Sequence, residues 1–174
     1  MAEAVAAPPP DSARITPAAL ARLLALLVPA ALLAGAFGSQ YFGGLYPCEM
    51  CWWQRYAHMA ALVPAALAFT SPAASSRARA LTLLAAAAIA VSGAIGFYHA
   101  GVELHIFKGF TTCTATARAG NTEELFKQIM KAPLIRCDEV QWSFLGVSMA
   151  GWNAIISLGS AALIAFLTLR DRRA

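Results

Sequence analysis

With 174 residues, 59% of them hydrophobic and only 13% charged, the chain is long enough for one domain but lacks the balance of a soluble one. Its mean hydropathy of +0.61 points to membrane segments. The formal charge of +4 does not indicate nucleic acid, because the basic residues form no aromatic-interleaved patch and no run longer than Arg172-Arg173.

Residues 1–17 are Ala/Pro-rich and read as a disordered tail. Leu20 to Phe42 is almost entirely Ala, Leu, Val, Phe and Gly, long enough to cross a hydrocarbon layer of about 30 Å. Ala34-Gly35-Ala36 resembles a signal-peptidase site, but the apolar run before it is long for a signal sequence. A second helix is expected from Cys51 to Phe69 with Pro64 as a kink, then a Ser/Pro loop ending at Arg79. A third runs from Ala80 to Ala100, where Gly93 and Gly96 allow close helix approach. A polar section of about forty residues follows, and a fourth helix spans Phe144 to Leu169. The expected fold is an all-α membrane protein, a four-helix transmembrane bundle over residues 18–170, with outer loops at 43–50 and 101–143 and a short tail at 171–174.

Arg14, Arg22, Arg77, Arg79, Arg170, Arg172 and Arg173 collect at one side against Glu3, Asp11 and Asp171, whereas the long loop carries five basic and five acidic residues. The positive-inside rule places both termini in the cytoplasm and all four cysteines outside, which in a bacterial inner membrane means the oxidising periplasm. Within the long loop, Asn121 to Lys131 reads as a capped amphipathic helix stopped by Pro133, lying on the outer leaflet or packed on its own protein.

The stretch Pro47-Cys48-Glu49-Met50-Cys51-Trp52-Trp53-Gln54-Arg55 organises the chain. A C-x-x-C pair at a helix N-terminus is placed where backbone N–H groups favour thiolate. Arg55, one turn beyond Cys51, adds positive charge; an arginine at mid-membrane costs about 2.5–3.5 kcal/mol and so calls for a function, the alternative being a head-group anchor. Cys113 and Cys137 can staple the long loop or, beside Cys48 and Cys51, form an exchange relay. No nucleotide, iron–sulfur or haem-attachment pattern offers the electrons a destination, which leaves a lipid-soluble acceptor. Cys51, Arg55 and His58 or Met59 share a face of helix two, near Trp52 and Trp53, with His99 and Glu103 at the matching end of helix three. Such a pocket suits a quinone ring. No metal site is expected.

These residues resemble the bacterial disulfide bond formation protein B (DsbB) family. The likeness rests on Pro47-Cys48-Glu49-Met50-Cys51 with Gln54-Arg55, on Tyr98-His99-Ala100-Gly101-Val102-Glu103, on Cys113 and Arg136-Cys137-Asp138, and on Trp142-Ser143-Phe144-Leu145-Gly146 with Met149-Ala150-Gly151-Trp152-Asn153. The resemblance implies a quinone-dependent protein-dithiol oxidoreductase. A DsbA-like thioredoxin-fold partner would attack Cys113, Cys137 would attack Cys48, and Cys51 would be released as the thiolate that passes electrons to ubiquinone or menaquinone. It also places Arg55, and with them His99 and Glu103, at the quinone. Glu49 departs from the apolar residues of many relatives and leaves open whether the partner is general or dedicated. Vitamin K epoxide reductase-like proteins share the architecture, but their C-x-x-C is expected late in the bundle. A structural protein with stapled loops, or one holding haem between His58 and His99, is the rival class.

Overall fold

The computed structural model describes residues 15–109, 122, 123, 126 and 135–170. Four long helices account for most of it: α1 (Pro17–Tyr41), α2 (Glu49–Leu67, continued by a 3-10 turn at Ala68–Thr70), α3 (Ser76–Glu103) and α4 (Met149–Arg170). Thr16 caps α1 by accepting the Ala19 N–H, and Ser75 caps α3 through Ala78. Both caps start their helices three to four residues before the apolar runs do. The expected tail therefore ends at the cap; its residues 1–14 lie outside the described residues, as do 171–174.

The helices neighbour one another in the order α1, α2, α3, α4 and close back on α1. Their apolar residues are turned outward as much as inward: Val63, Leu84, Val91, Phe97, Leu163 and Phe166 are all exposed. That pattern suits a lipid solvent. Three helices, α1, α3 and α4, are long and apolar enough to cross a membrane. The sequence expectation of four spans is thus met for three. Glu49, Gln54, Arg55 and His58 make α2 the least apolar of the set, although its 19 residues match the others in kind.

Small residues hold the interior. Ala21, Ala25, Ala61, Ala65 and Ala85 are fully buried around Ile89 and Ile164. Gly93 and Gly96 do bring α3 against α4, since a Cβ on Gly96 would stand 2.9 Å from Asn153 Nδ2 and 3.0 Å from the Ala150 carbonyl. At the opposite end of the bundle from Cys48, Arg22 donates to the carbonyls of Ala68 and Ser71 at 3.1 and 2.9 Å and lies over the Phe69 ring. An arginine read as a charge that only orients the bundle thereby also closes the end of α2.

The fourth helix starts later than expected. Residues Ser143–Phe144 (β1) and Val147–Ser148 (β2) form a two-stranded hairpin instead of the first turn of α4. Leu145 and Gly146 both take positive φ, 52° and 76°, which a continuing helix cannot accommodate and a tight hairpin turn requires. Trp152 Nε1 donates to the Phe144 carbonyl at 3.1 Å and ties the hairpin to α4. Of the expected loop helix, Thr122, Glu123 and Phe126 are helical; its other residues, and Cys113, lie outside the described residues.

Candidate active site

Cys48 is the N-cap of α2, its sulfur accepting the Cys51 N–H at 3.3 Å. The C-x-x-C pair therefore sits at the helix start, as its spacing suggests. Both residues are thiols, with sulfurs 3.0 Å apart. The cap N–H favours thiolate at Cys48, but stronger effects oppose it. Hydrogen bonds with Cys137 and then Cys51, together with burial, push the Cys48 thiol well above its ordinary range. Cys137 packs with Ile135 against the cluster of Cys48, Met50 and Val102. The second cysteine of the long loop thus meets the first of the pair.

Arg55 is 5% exposed. It does not reach outward as a head-group anchor; it turns to α1, donating to Gln40 Oε1 and, at 2.9 Å, to the Ala36 carbonyl. The rings of Phe37 and Trp52 lie 4.9 and 5.0 Å from its guanidinium carbon. Its charge acts on Cys51 before Tyr41 and Cys48. Trp52 therefore braces Arg55 and, like Trp53 and Met59, stays out of the cavity lining, whereas His58 lines it.

His99 and Glu103 come from the last turn of α3. His99 Nε2 lies 3.5 Å from Cys48 Sγ and 3.8 Å from Glu103 Oε1. Ser148 of the hairpin hydrogen-bonds Glu103, whose Oε2 is buried with no partner among the described residues. The two sulfurs and His99 Nε2 lie within 4.8 Å of one another, a spacing open to a thiophilic cation as well as to thiol chemistry.

Behind this cluster, a buried polar chain crosses the bundle. Gln54 Nε2 contacts the Met50 carbonyl at 3.2 Å and His99 Nδ1 at 3.0 Å. Gln54 Oε1 accepts from Asn153 Nδ2 at 2.7 Å, and Asn153 Oδ1 lies 2.9 Å from His58 Nε2. Each histidine is held by an amide, His99 through Nδ1 and His58 through Nε2.

These groups line a cavity of about 690 Å³. Its walls are α1 at Leu32 to Ser39, the Cys51–His58 face of α2, and Met149 to Asn153 of α4; Arg136, Glu139 and Trp142 roof it. The size is that of a small-molecule site, largely apolar with a few convergent polar groups.

The family model for disulfide bond formation protein DsbB matches residues 18–167. The chain belongs to the DsbB family. Among curated relatives, a disulfide bond formation protein B of Marinobacter nauticus is 30% identical over 155 residues, covering 84% of this chain and 89% of the relative. One from Methylococcus capsulatus is 36% identical over 149 residues, 80% and 87% of the two chains. No solved structure matches the chain significantly.

Membership of the DsbB family makes the chain a disulfide-forming oxidoreductase built on membrane-crossing helices. Of the residues singled out from sequence, Cys48, Cys51, Cys137, Arg55, His99 and Glu103 converge on one place. Gln54 and Asn153 entered only as letters of the DsbB pattern; Gln40, Ser92 and Ser148 did not enter at all. The available signal was chemical, since a polar side chain inside a membrane helix marks a functional position by default.

Proposed function

We propose that this protein reoxidises a periplasmic DsbA-like dithiol protein and passes the electrons through its two cysteine pairs to a membrane quinone. The observation that carries the reading is the juxtaposition of Cys137, Cys48 and Cys51 at the mouth of a cavity lined by Arg55, His99 and Glu103. In this scheme α2 is the fourth membrane span: 19 residues reach about 28 Å at 1.5 Å each. Arg22, Arg77, Arg79 and Arg170 mark the cytoplasmic end, and the cysteines face the periplasm.

The partner's dithiol is oxidised to a disulfide by exchange with the Cys113–Cys137 disulfide, entering at Cys113. The loop disulfide is then restored by two exchanges with an oxidised Cys48–Cys51 pair: Cys137, packed on Cys48, attacks its sulfur and releases the Cys51 thiolate, and Cys113 then attacks Cys137 of the mixed disulfide, releasing Cys48. The residues present fit a planar conjugated dione in the cavity. Its largely apolar walls take a ring, and the Arg55 guanidinium at the cavity wall offers a fixed positive charge to a carbonyl oxygen. A bound ubiquinone or menaquinone would supply the oxidising power, taking up two electrons and two protons. Arg55 holds its position through α1 and stabilises negative charge at the cavity end nearest Cys51.

The test is steady-state quinone reduction by purified protein supplied with a reduced DsbA-like dithiol protein. Wild type should turn over, and Cys51→Ser and Cys113→Ser should each lose activity by at least about 100-fold. Turnover surviving in Cys113→Ser would remove the loop pair from the route.

A further inference from the structure

The amide chain behind the cysteines fixes where the histidine protons sit. Asn153 Nδ2 lies 3.2 Å from the Ser92 carbonyl, which can only accept, so the NH₂ group must be on that side. The same NH₂ then donates to Gln54 Oε1 at 2.7 Å. Gln54 is oriented independently by a second backbone carbonyl, that of Met50, 3.2 Å from its Nε2. The remaining hydrogen of that NH₂ points at His99 Nδ1, 3.0 Å away. Nδ1 must therefore be an acceptor, and a neutral His99 carries its proton on Nε2, the nitrogen facing Cys48 Sγ and Glu103 Oε1. At the other end, Asn153 Oδ1 accepts from Ser157 Oγ at 3.0 Å and faces His58 Nε2 at 2.9 Å. His58 is thus also protonated at Nε2, which leaves its buried Nδ1 lone pair unpartnered among the described residues.

The geometry points to Gln54 and Asn153 as positioning residues that lock His99 as the Nε2–H tautomer, so that an N–H donor rather than a lone pair faces the cysteine sulfurs. A hydrogen bond from that N–H stabilises a thiolate of the pair and keeps a donor beside it. The same orientation makes the two sulfurs and His99 a poor metal cradle, because a metal ligand needs the Nε2 lone pair and a proton acceptor behind Nδ1. The groups facing His99 are Cys48, Cys51 and Gln54 from the start of α2, Glu103 from its own helix and Cys137 from the loop; Arg55 acts on Cys51 from the α1 side. The inference builds on the reading of Cys48 and Cys51 as the redox pair.

Histidine tautomers are read directly by ¹⁵N NMR. The chain has three histidines, His58, His99 and His105, and His99→Gln assigns the signal. In reduced protein without quinone or partner, His99 and His58 should both show the Nε2–H pattern. Gln54→Leu should release His99 into a mixture of tautomers, and Gln54→Glu, which puts an acceptor behind Nδ1, should protonate that nitrogen. In a Cys113→Ser, Cys137→Ser background, the pH midpoint for alkylation of the remaining pair should rise by about one unit in Gln54→Leu as the thiolate loses its donor. A wild-type His99 in the Nδ1–H form would overturn the inference without any variant. So would Gln54→Leu that keeps a pure Nε2–H signal and an unmoved midpoint. Neither readout involves electron transfer, so a failure here leaves the quinone reading standing, and failure of quinone reduction leaves the tautomer result standing.

Discussion

Cys137 is hydrogen-bonded to Cys48, which places a residue of the long polar loop on the first cysteine of a pair 89 positions earlier in the chain. In the proposed relay, the contact sets the order in which the sulfurs exchange. Cys48 is 2% exposed and shielded from solvent, so its accessible attacker is the cysteine already packed on it. In a Cys51→Ser, Cys113→Ser variant, Cys48 and Cys137 should form a disulfide under mild oxidation, seen as the loss of two hydrogens by mass spectrometry and confirmed by a cross-linked peptide. Two persistent thiols under those conditions would mean the contact does not lead to exchange.

Arg22 binds the carbonyls of Ala68 and Ser71 at the C-terminal end of α2, where the helix dipole presents partial negative charge. Arg22→Ala leaves those acceptors without a charged donor and should cost about 1–3 kcal/mol, read as a lower Tm in detergent. Arg22→Lys should recover only part of the loss, because an ammonium cannot fork between two carbonyls and stack on Phe69 as a guanidinium does. An unchanged Tm in Arg22→Ala would reduce the residue to a topological signal.

Gly96 sets the spacing of α3 and α4 beside the amide chain. In Gly96→Ala the new methyl meets Asn153 Nδ2 and the Ala150 carbonyl, and backbone must move; the expected cost is about 1–3 kcal/mol. Gly159→Ala in α4 is the matched control, because a Cβ there meets nothing within 4 Å and should be neutral or slightly stabilising. Equal unfolding temperatures for the two variants would contradict the packing described for α3 and α4.

The Arg136 guanidinium grips both carboxylate oxygens of Asp138, at 2.9 and 2.5 Å, and holds that carboxyl down to about 2 from its ordinary 3.8. A folded value below the unfolded one means the pair supports the fold above pH 3.8 and loses that contribution as pH falls through 2. The segment just after Cys137 should therefore stay ordered at mildly acidic pH. Arg136→Ala should return the Asp138 titration to near 3.8, measured from its ¹³C carboxyl shift; a titration that stays low would assign the effect to another group.

What could be read from sequence, and what could not, divides along physical lines. The helices announced themselves through apolar length, and Cys48, Arg55, His99 and Glu103 through chemistry that an apolar helix does not tolerate idly. The start of α4 was misplaced because Phe144, Leu145 and Val147 are as apolar as the helix that follows, and only Gly146 hinted at a turn. The α2 cap acts on Cys48 in the expected direction, but the causes that outweigh it, chiefly Cys137 and burial, belong to tertiary structure and could not be read from spacing. The amide chain was invisible for a similar reason: Gln54, Ser92 and Asn153 lie on three helices, and no spacing along the chain reveals that they meet.

The central claim is that the dithiol of Cys48 and Cys51 gives its electrons to a ring held against Arg55. Its most direct measurement is a single turnover: fully reduced Cys113→Ser, Cys137→Ser protein mixed anaerobically with ubiquinone, following quinone absorbance and remaining thiols together. One quinone should be reduced to quinol for each Cys48–Cys51 pair that closes to a disulfide, and Arg55→Ala should need about 10-fold or more quinone for the same rate. Thiols that remain fully titratable while the quinone absorbance stays constant would contradict it.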